Sequence, residues 1–244
     1  MERKTLENAL INREFVYRYL WRLFATEPDA DMLELVSGDV VAQQLGIMFD
    51  EEGDGAKAQE QLAMMAKVYL ADGDGGVETL RAEFTRLFLG PAAPVTPLWE
   101  SVYVDNDHLL FSQTTLEIRE LYRGAGFTAA AYPKEADDHL AIQLDFMAAL
   151  TAKAADALAK EDPALADALL AYQAMFLERH LNRFIPLILE RFRTDAPDTV
   201  GDFYLFALAL AREACHTDAD VIGQLRSSIQ AAASPEPPAD EPLS

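Results

Sequence analysis

Apolar residues in this chain return every three or four positions, segment after segment, and glycine or proline closes each run. From Leu6 the stripe passes through Leu10, Tyr17, Leu20, Trp21 and Phe24, a spacing that puts all of them on one face of a helix. Arg13 interrupts that face, so it must be paired or carry its charged head out to water. Pro28 ends the run. Two short helices, from Asp31 to Val36 and from Val40 to Phe49, are expected around Gly38, and a longer one from Ala56 to Leu70. Val77, Leu80, Phe84, Leu87 and Phe88 form the next stripe, closed by Gly90-Pro91, where glycine accepts a left-handed backbone and proline cannot continue the helix. The pattern resumes near His108 and runs through Leu116 and Leu121 to Gly124-Ala125-Gly126.

The second half reads the same way. Lys134 to Lys160 is expected as one long helix with Leu140, Leu144, Met147 and Leu150 facing inward. Asp162-Pro163 is an N-cap followed by a first-turn proline, and its helix carries the stripe Leu169, Gln173, Phe176, His180 and Phe184. Pro186 starts a new helix or kinks the old one. Thr199 to Asp202 resembles a capping box, and Asp218 is expected to cap a last helix ending near Ala232. No segment alternates like a strand, and no period repeats. The expected fold is therefore all-α: a single multi-helix domain over 1–232 with a Pro-rich connection at 90–105. A polar, Pro-rich tail at 233–244 is expected to be disordered.

Charge narrows the partners. The 244 residues include 20 Lys and Arg against 41 Asp and Glu, a net charge of −21. Nucleic acid is bound by cations that neutralise phosphates, so it is excluded as a natural partner, and so is an anionic membrane surface. A basic peptide would be attracted. The single cysteine, Cys215, forms no internal disulfide or thiolate cluster and reads as a small core residue. No stretch reaches the roughly 18–20 apolar residues of a spanning helix, and the N-terminus lacks the apolar core of a secretory signal. The expected location is the cytoplasm, with no membrane insertion.

Enzyme signatures are missing. The chain has no phosphate-binding glycine loop and no G-x-S-x-G elbow. Aligning the acidic loop that starts at Asp50 with a calcium loop puts Gln61 where a bidentate glutamate is needed; the loop through Asp72 and Asp74 would put Leu70 at its first position and Arg81 at its twelfth. Only Glu213 and His216 match the paired E-x-x-H pattern of a di-iron bundle, and the four histidines (His108, His139, His180, His216) lie far apart in the sequence. His180, on an apolar stripe, reads as a hydrogen-bonded core histidine. No catalytic residue, cofactor or metal is assigned. A metal-dependent enzyme in an α-bundle and an acidic adaptor of an unrelated complex stay open as alternatives.

Two segments exceed what helix building needs. From Gly90 to Tyr103 the chain carries three prolines together with Trp99 and Tyr103, so it must be extended or turning, and it is both rigid and aromatic; its aromatics suit either a groove or a plug over the core. The other segment is Glu135-Ala136-Asp137-Asp138-His139. Acidic residues in a first turn complement the helix dipole, but a histidine there does not, and beside carboxylates it can bond to them and respond to pH. Phe146 and Met147 lie at core spacing. Arg179, Arg183, Arg191 and Arg193 form a basic patch whose default is pairing with acidic neighbours.

With Phe84-Thr85-Arg86-Leu87-Phe88-Leu89-Gly90-Pro91, Pro97-Leu98-Trp99-Glu100-Ser101-Val102-Tyr103, Glu135 to Leu140 and Leu144-Asp145-Phe146-Met147 in this order, the chain resembles the TorD/DmsD/NarJ family. His180-Leu181 and Phe184-Ile185-Pro186 are similar to a further family block. The resemblance covers about Leu6 to Ala214. It implies an all-α cytoplasmic chaperone that catalyses no reaction. Such a protein binds the twin-arginine leader, or the apo form, of a molybdoenzyme catalytic subunit until its cofactor is inserted. The family's acidic-histidine motif, implicated in leader recognition, maps onto Glu135, Asp138 and His139, with Ala136 where the family usually has proline. The expected peptide-binding residues are Glu135, Asp138, His139, Trp99, Glu100, Tyr103 and Phe146. Carboxylates would meet the guanidiniums and aromatics the apolar stretch. The long connection near Pro94 is compatible with a monomer or with a dimer that exchanges halves.

Overall fold

The computed structural model describes residues 3–90, 93–105, 112–129 and 135–233. Every named element among them is helical: α1 (Arg3–Ala25), α2 (Ala30–Ser37), α3 (Asp39–Met48), α4 (Asp54–Ala71), α5 (Asp74–Phe84) with a wide π-turn at Thr85–Leu89, α6 (Ser101–Val104), α7 (Gln113–Gly124), α8 (Leu140–Ala159), α9 (Pro163–Phe176), a second π-turn at Leu177–Leu181, α10 (Asn182–Asp195) and α11 (Phe203–Ala233). None of these helices is long and apolar enough to cross a membrane. The expected disordered tail lies outside the described residues from 234 onward, as do Pro91, Lys134 and the segment around His108.

Local chemistry sets most boundaries. Asp29 caps α2 by accepting the Met32 N–H at 2.8 Å, and Asp162 caps α9 by accepting from Leu165 at 3.0 Å, with Pro163 in the first turn. Gly90 closes the run after α5 with φ of 53°, a conformation in which any side chain would be strained. The helical path then continues through Pro186 without a restart, from α9 through the second π-turn into α10.

The core is built along α1 and α8, which pack lengthwise on each other, with α9, α10, α11 and α4 around them. Most of the α1 stripe is inside as expected, with Leu10, Leu20 and Phe24 almost wholly buried, while Trp21 is only part-buried. Two aromatic rings one turn apart, Phe84 and Phe88, meet Tyr204 of α11 and each other edge to face or tilted at 5.0–5.6 Å. Cys215 is buried, and burial together with Asp218 pushes its thiol pKa up, so it is a packing residue and an unreactive one.

Three expectations are corrected. The long helix starts at Leu140, five residues into the described stretch that follows Lys134, because the Asp138 carbonyl and the Leu140 amide are bonded to the connection. The Leu140 N–H donates to Leu98 O at 2.7 Å and the Glu100 N–H to Asp138 O at 3.1 Å. Thr199 is not an N-cap: α11 begins at Phe203, and the Thr199 hydroxyl accepts from Arg86 at 2.8 Å. Asp218 caps nothing, since α11 runs unbroken from Phe203 to Ala233.

Asp218 instead answers the question raised by Arg13. The Arg13 Nε donates to Asp218 Oδ1 at 2.5 Å, and Nη2 donates to Asp218 Oδ2 at 2.8 Å and to Gln173 Oε1 at 2.7 Å. Tyr17 donates to the same carboxylate at 2.6 Å, and Thr151 donates to Gln173 at 2.9 Å. Four helices are thereby joined through one buried fork-to-fork ion pair.

An uncompensated buried charge is costly, whereas an apolar replacement of both partners is tolerated. Asp218→Ala should therefore lower unfolding stability in urea by about 3–5 kcal/mol. The double variant Arg13→Met with Asp218→Leu should lose much less. A cost well under about 1 kcal/mol for the single change would mean the pair holds nothing together.

Candidate functional site

The site is organised by the connection from Ala93 to Glu100 pressing on the entrance of α8. Its backbone is held at Thr96, whose N–H donates to Leu87 O at 2.8 Å, and by the two bonds to Asp138 O and from Leu140 already described. Trp99 and His139 form an isolated antiparallel bridge. Two extended segments with prolines or a helix cap beside them can pair briefly without becoming a sheet.

Asp138 fixes this junction from inside. It is fully buried; Oδ2 accepts the Ser101 N–H at 2.9 Å, at the start of α6, and Oδ1 accepts the Thr115 hydroxyl of α7 at 2.9 Å. Glu100 is equally buried. Both its oxygens lie 3.1 Å from His180 Nδ1, and Oε2 accepts from Gln143 at 3.0 Å. His180 is thus the hydrogen-bonded core histidine that its stripe suggested. Asp137 is buried against Arg119 at 2.7 Å.

Glu135 and His139 are only part-buried. The indole N–H of Trp99 donates to Glu135 Oε1 at 2.7 Å, as does the Ala136 N–H at 3.0 Å. His139 is the N-cap of α8: its Nδ1 accepts the Ala141 N–H at 3.1 Å, which requires a neutral ring with the proton on Nε2. The ring stands edge-on to Trp99 at 5.5 Å. Burial lowers its pKa, more than Glu135 and Asp138 raise it.

These residues open onto a cleft of about 450 Å³. Trp21, Phe24 and Ala25 of α1, Phe84 of α5, Phe88 and Leu89 of the π-turn, and Leu98 supply apolar walls, while Glu27, Glu135 and Asp145 supply carboxylates. Arg18 pairs with Asp145. On the far side of the connection a shallower cleft of about 560 Å³ is lined by Pro94, Pro97, Trp99, Val102, Tyr103 and Arg191. There the Tyr103 hydroxyl donates to Pro97 O at 2.7 Å, and Arg191 lies 5.9 Å above the Tyr103 ring. Arg191 also lies 3.4 Å from Asp195 and donates to Val95 O at 2.9 Å.

The seven residues singled out from the sequence therefore separate. Glu135 and His139 line the acidic cleft, whereas Trp99 and Tyr103 line the second, with the Trp99 indole bonded back to Glu135. Glu100 edges a third hollow with His180 and Arg183. Asp138 and Phe146 reach none of these clefts. Asp138 has both oxygens occupied, and Phe146 is wholly buried among Tyr122, Phe127 and Phe176 at ring distances of 4.5–5.2 Å. Sequence reading passed over Trp21, Glu27 and Asp145. The stripe assigned Trp21 to the core, and only the convergence of α1 with α8 brings the two acids to Glu135.

In comparisons with known proteins, residues 51–190, more than half of the chain, match the family model described as nitrate reductase delta subunit. The chain is 34% identical over 84 residues to the Tat proofreading chaperone DmsD of Salmonella paratyphi A, a match taking in 34% of this chain and 38% of that protein's length. It is 29% identical over 180 residues to the chaperone protein TorD of Vibrio cholerae serotype O1, 73% of this chain and 79% of the relative. With the perchlorate reductase assembly chaperone protein of Dechloromonas aromatica it shares 34% over 111 residues, 43% of this chain and 48% of the relative.

Because the folded protein favours neutral His139 while an unfolded histidine takes up a proton near pH 6.5, the stability this cap contributes is complete above that pH and lost as pH falls below it. His139→Asn keeps a capping acceptor that does not titrate. Between about pH 7.5 and about pH 5.5 the unfolding temperature of the wild type should fall more than that of the variant. Parallel curves would rule out a neutral histidine cap.

Proposed function

The chain belongs to the nitrate reductase delta subunit family, the family of TorD, DmsD and NarJ, and from that premise we propose that it is a maturation chaperone whose acidic cleft binds the twin-arginine leader of a molybdenum-containing oxidoreductase subunit. Relatives in this family carry the names of proofreading and assembly chaperones, which supports a role in binding over one in catalysis. The observation that carries the reading is the composition of the cleft beside Trp99. Three carboxylates, Glu27 from the loop after α1, Glu135 from the turn before α8 and Asp145 from α8 itself, surround walls of Trp21, Phe24, Phe88 and Leu98.

That arrangement suits a segment that is cationic and then apolar. A guanidinium is matched by carboxylate oxygens that accept in a fork, and Glu135 has Oε2 left for one after Oε1 has taken the indole and amide protons. An apolar stretch following the arginines would lie on the aromatic walls. The net charge of −21 steers a cationic leader toward the protein over a range cut to about 8–10 Å by physiological salt. No covalent step is involved. The protein would hold the leader while the apo subunit receives its cofactor, and then release it.

In this proposal the site residues have two roles. Glu135, His139 and Trp99 touch the leader, and Tyr103 extends the aromatic surface beyond Trp99. Asp138, Glu100 and Phe146 act through position: they hold the connection and α8 in register from within the core.

Isothermal calorimetry with molybdoenzyme leader peptides tests both roles. Binding should weaken with salt and with replacement of the arginine pair by lysine. Glu135→Gln, which keeps an acceptor for Trp99, should weaken it by about tenfold, or ~1.4 kcal/mol. Asp138→Ala should lower stability by about 1–3 kcal/mol through its two orphaned donors. No heat with any such leader, or equal affinity for the lysine form, would defeat the reading.

A further inference from the structure

A separate cleft of about 640 Å³ lies between α3 and α4 and shares no residue with the clefts on either side of Trp99. Val36, Ala42, Leu45, Phe49 and Ala63 give it apolar walls. Met64, 52% exposed, forms a lip, and Val68 one turn further along α4 is 65% exposed. Large aliphatic side chains left in water beside an apolar cleft mark a surface that is covered in use. The lining positions of α4 run from Ala56 to Lys67, which is about three helical turns or ~16 Å.

Gly46 identifies what covers it. It sits in α3 and lines the cleft. Its backbone is not in the left-handed region, and a Cβ built there would meet nothing within 4 Å. Neither conformation nor internal crowding calls for glycine, although in a helix glycine is about 0.5–1 kcal/mol worse than alanine. A low wall that the fold itself does not use permits close approach of another backbone. Gly55 contrasts with it: a Cβ there would fall 2.6 Å from the Phe49 ring, so that glycine is used internally and seats the phenyl group at the end of the cleft.

The rim supplies the sign of the partner's charge. Asp39, Glu51 and Glu60 line the cleft against a single Lys67, and none of the three acids has a hydrogen bond or ion pair among the described residues. We propose that this cleft docks a basic amphipathic helix of a partner protein, about three turns long, lying with its backbone over Gly46. Its apolar residues at i, i+3 or i+4, and i+7 enter between Leu45, Phe49 and Met64, and its lysines or arginines meet Asp39, Glu51 and Glu60. The surface is independent of the leader cleft.

The probe is a fluorescein-labelled model helix of about fourteen residues made only of leucine and lysine in amphipathic register, with a leucine–glutamate counterpart as control. Fluorescence anisotropy should show binding of the lysine helix alone, weakening as salt rises. Gly46→Leu adds a side chain in open space and a better helix former, so the unfolding temperature should hold or rise while affinity drops by about tenfold or more. Glu60→Lys should weaken binding in the same direction, and Trp99→Ala should leave it intact. Unchanged affinity in Gly46→Leu, equal binding of the glutamate helix, no binding of the lysine helix, or loss in Trp99→Ala would each overturn the proposal.

Discussion

The buried carboxylate of Asp138 is the constraint on which the arrangement of this molecule turns. A carboxylate removed from water must have its oxygens satisfied. Asp138 meets that need with a main-chain amide of α6 and a hydroxyl of α7, while its own carbonyl takes the Glu100 amide. Two chain segments, the connection running into α6 and the start of α7, are thereby fixed to the entrance of α8. The Trp99–His139 bridge and the Glu135–Trp99 bond follow, because the register they require is already set.

A second buried charge works at the middle of α1. Arg13 and Asp218 bind the first helix to the last, and their neighbours Tyr17, Gln173 and Thr151 complete the network. The two centres divide the labour. One makes the bundle, and the other shapes the surface above it. Between them α1 contributes to both: Arg13 anchors its middle, while Trp21 and Phe24 near its end form the wall of the acidic cleft.

The helices were legible wherever the signal was local. Asp162 and Gly90 sit within five residues of the groups they engage, so their types in that order predict the boundary. The failures share one cause. Asp218 follows a threonine and looks like a cap, yet its partner is 205 residues away. An acidic run at 135–138 looks like a solvated first turn, and nothing adjacent says that Asp138 turns inward toward Ser101 and Thr115 while Glu135 turns outward toward Trp99. Of the candidate site, the residues that meet at the connection were found from their unusual chemistry. Glu27 and Asp145 carried no such mark, because an isolated acid in a chain with 41 of them is unremarkable until the fold places it.

The bonds that hold the connection to α8 at Leu98, Glu100 and Leu140 are made by peptide groups. Peptide groups are the same whatever the residue, so the scaffold there is indifferent to the identity of side chains that point away from it. Trp21, Leu98 and Ile142 on the cleft wall can be exchanged for others of similar bulk without shifting the frame that displays them. Such a separation between what supports the cleft and what lines it lets a handful of wall positions change, with the architecture left as it stands.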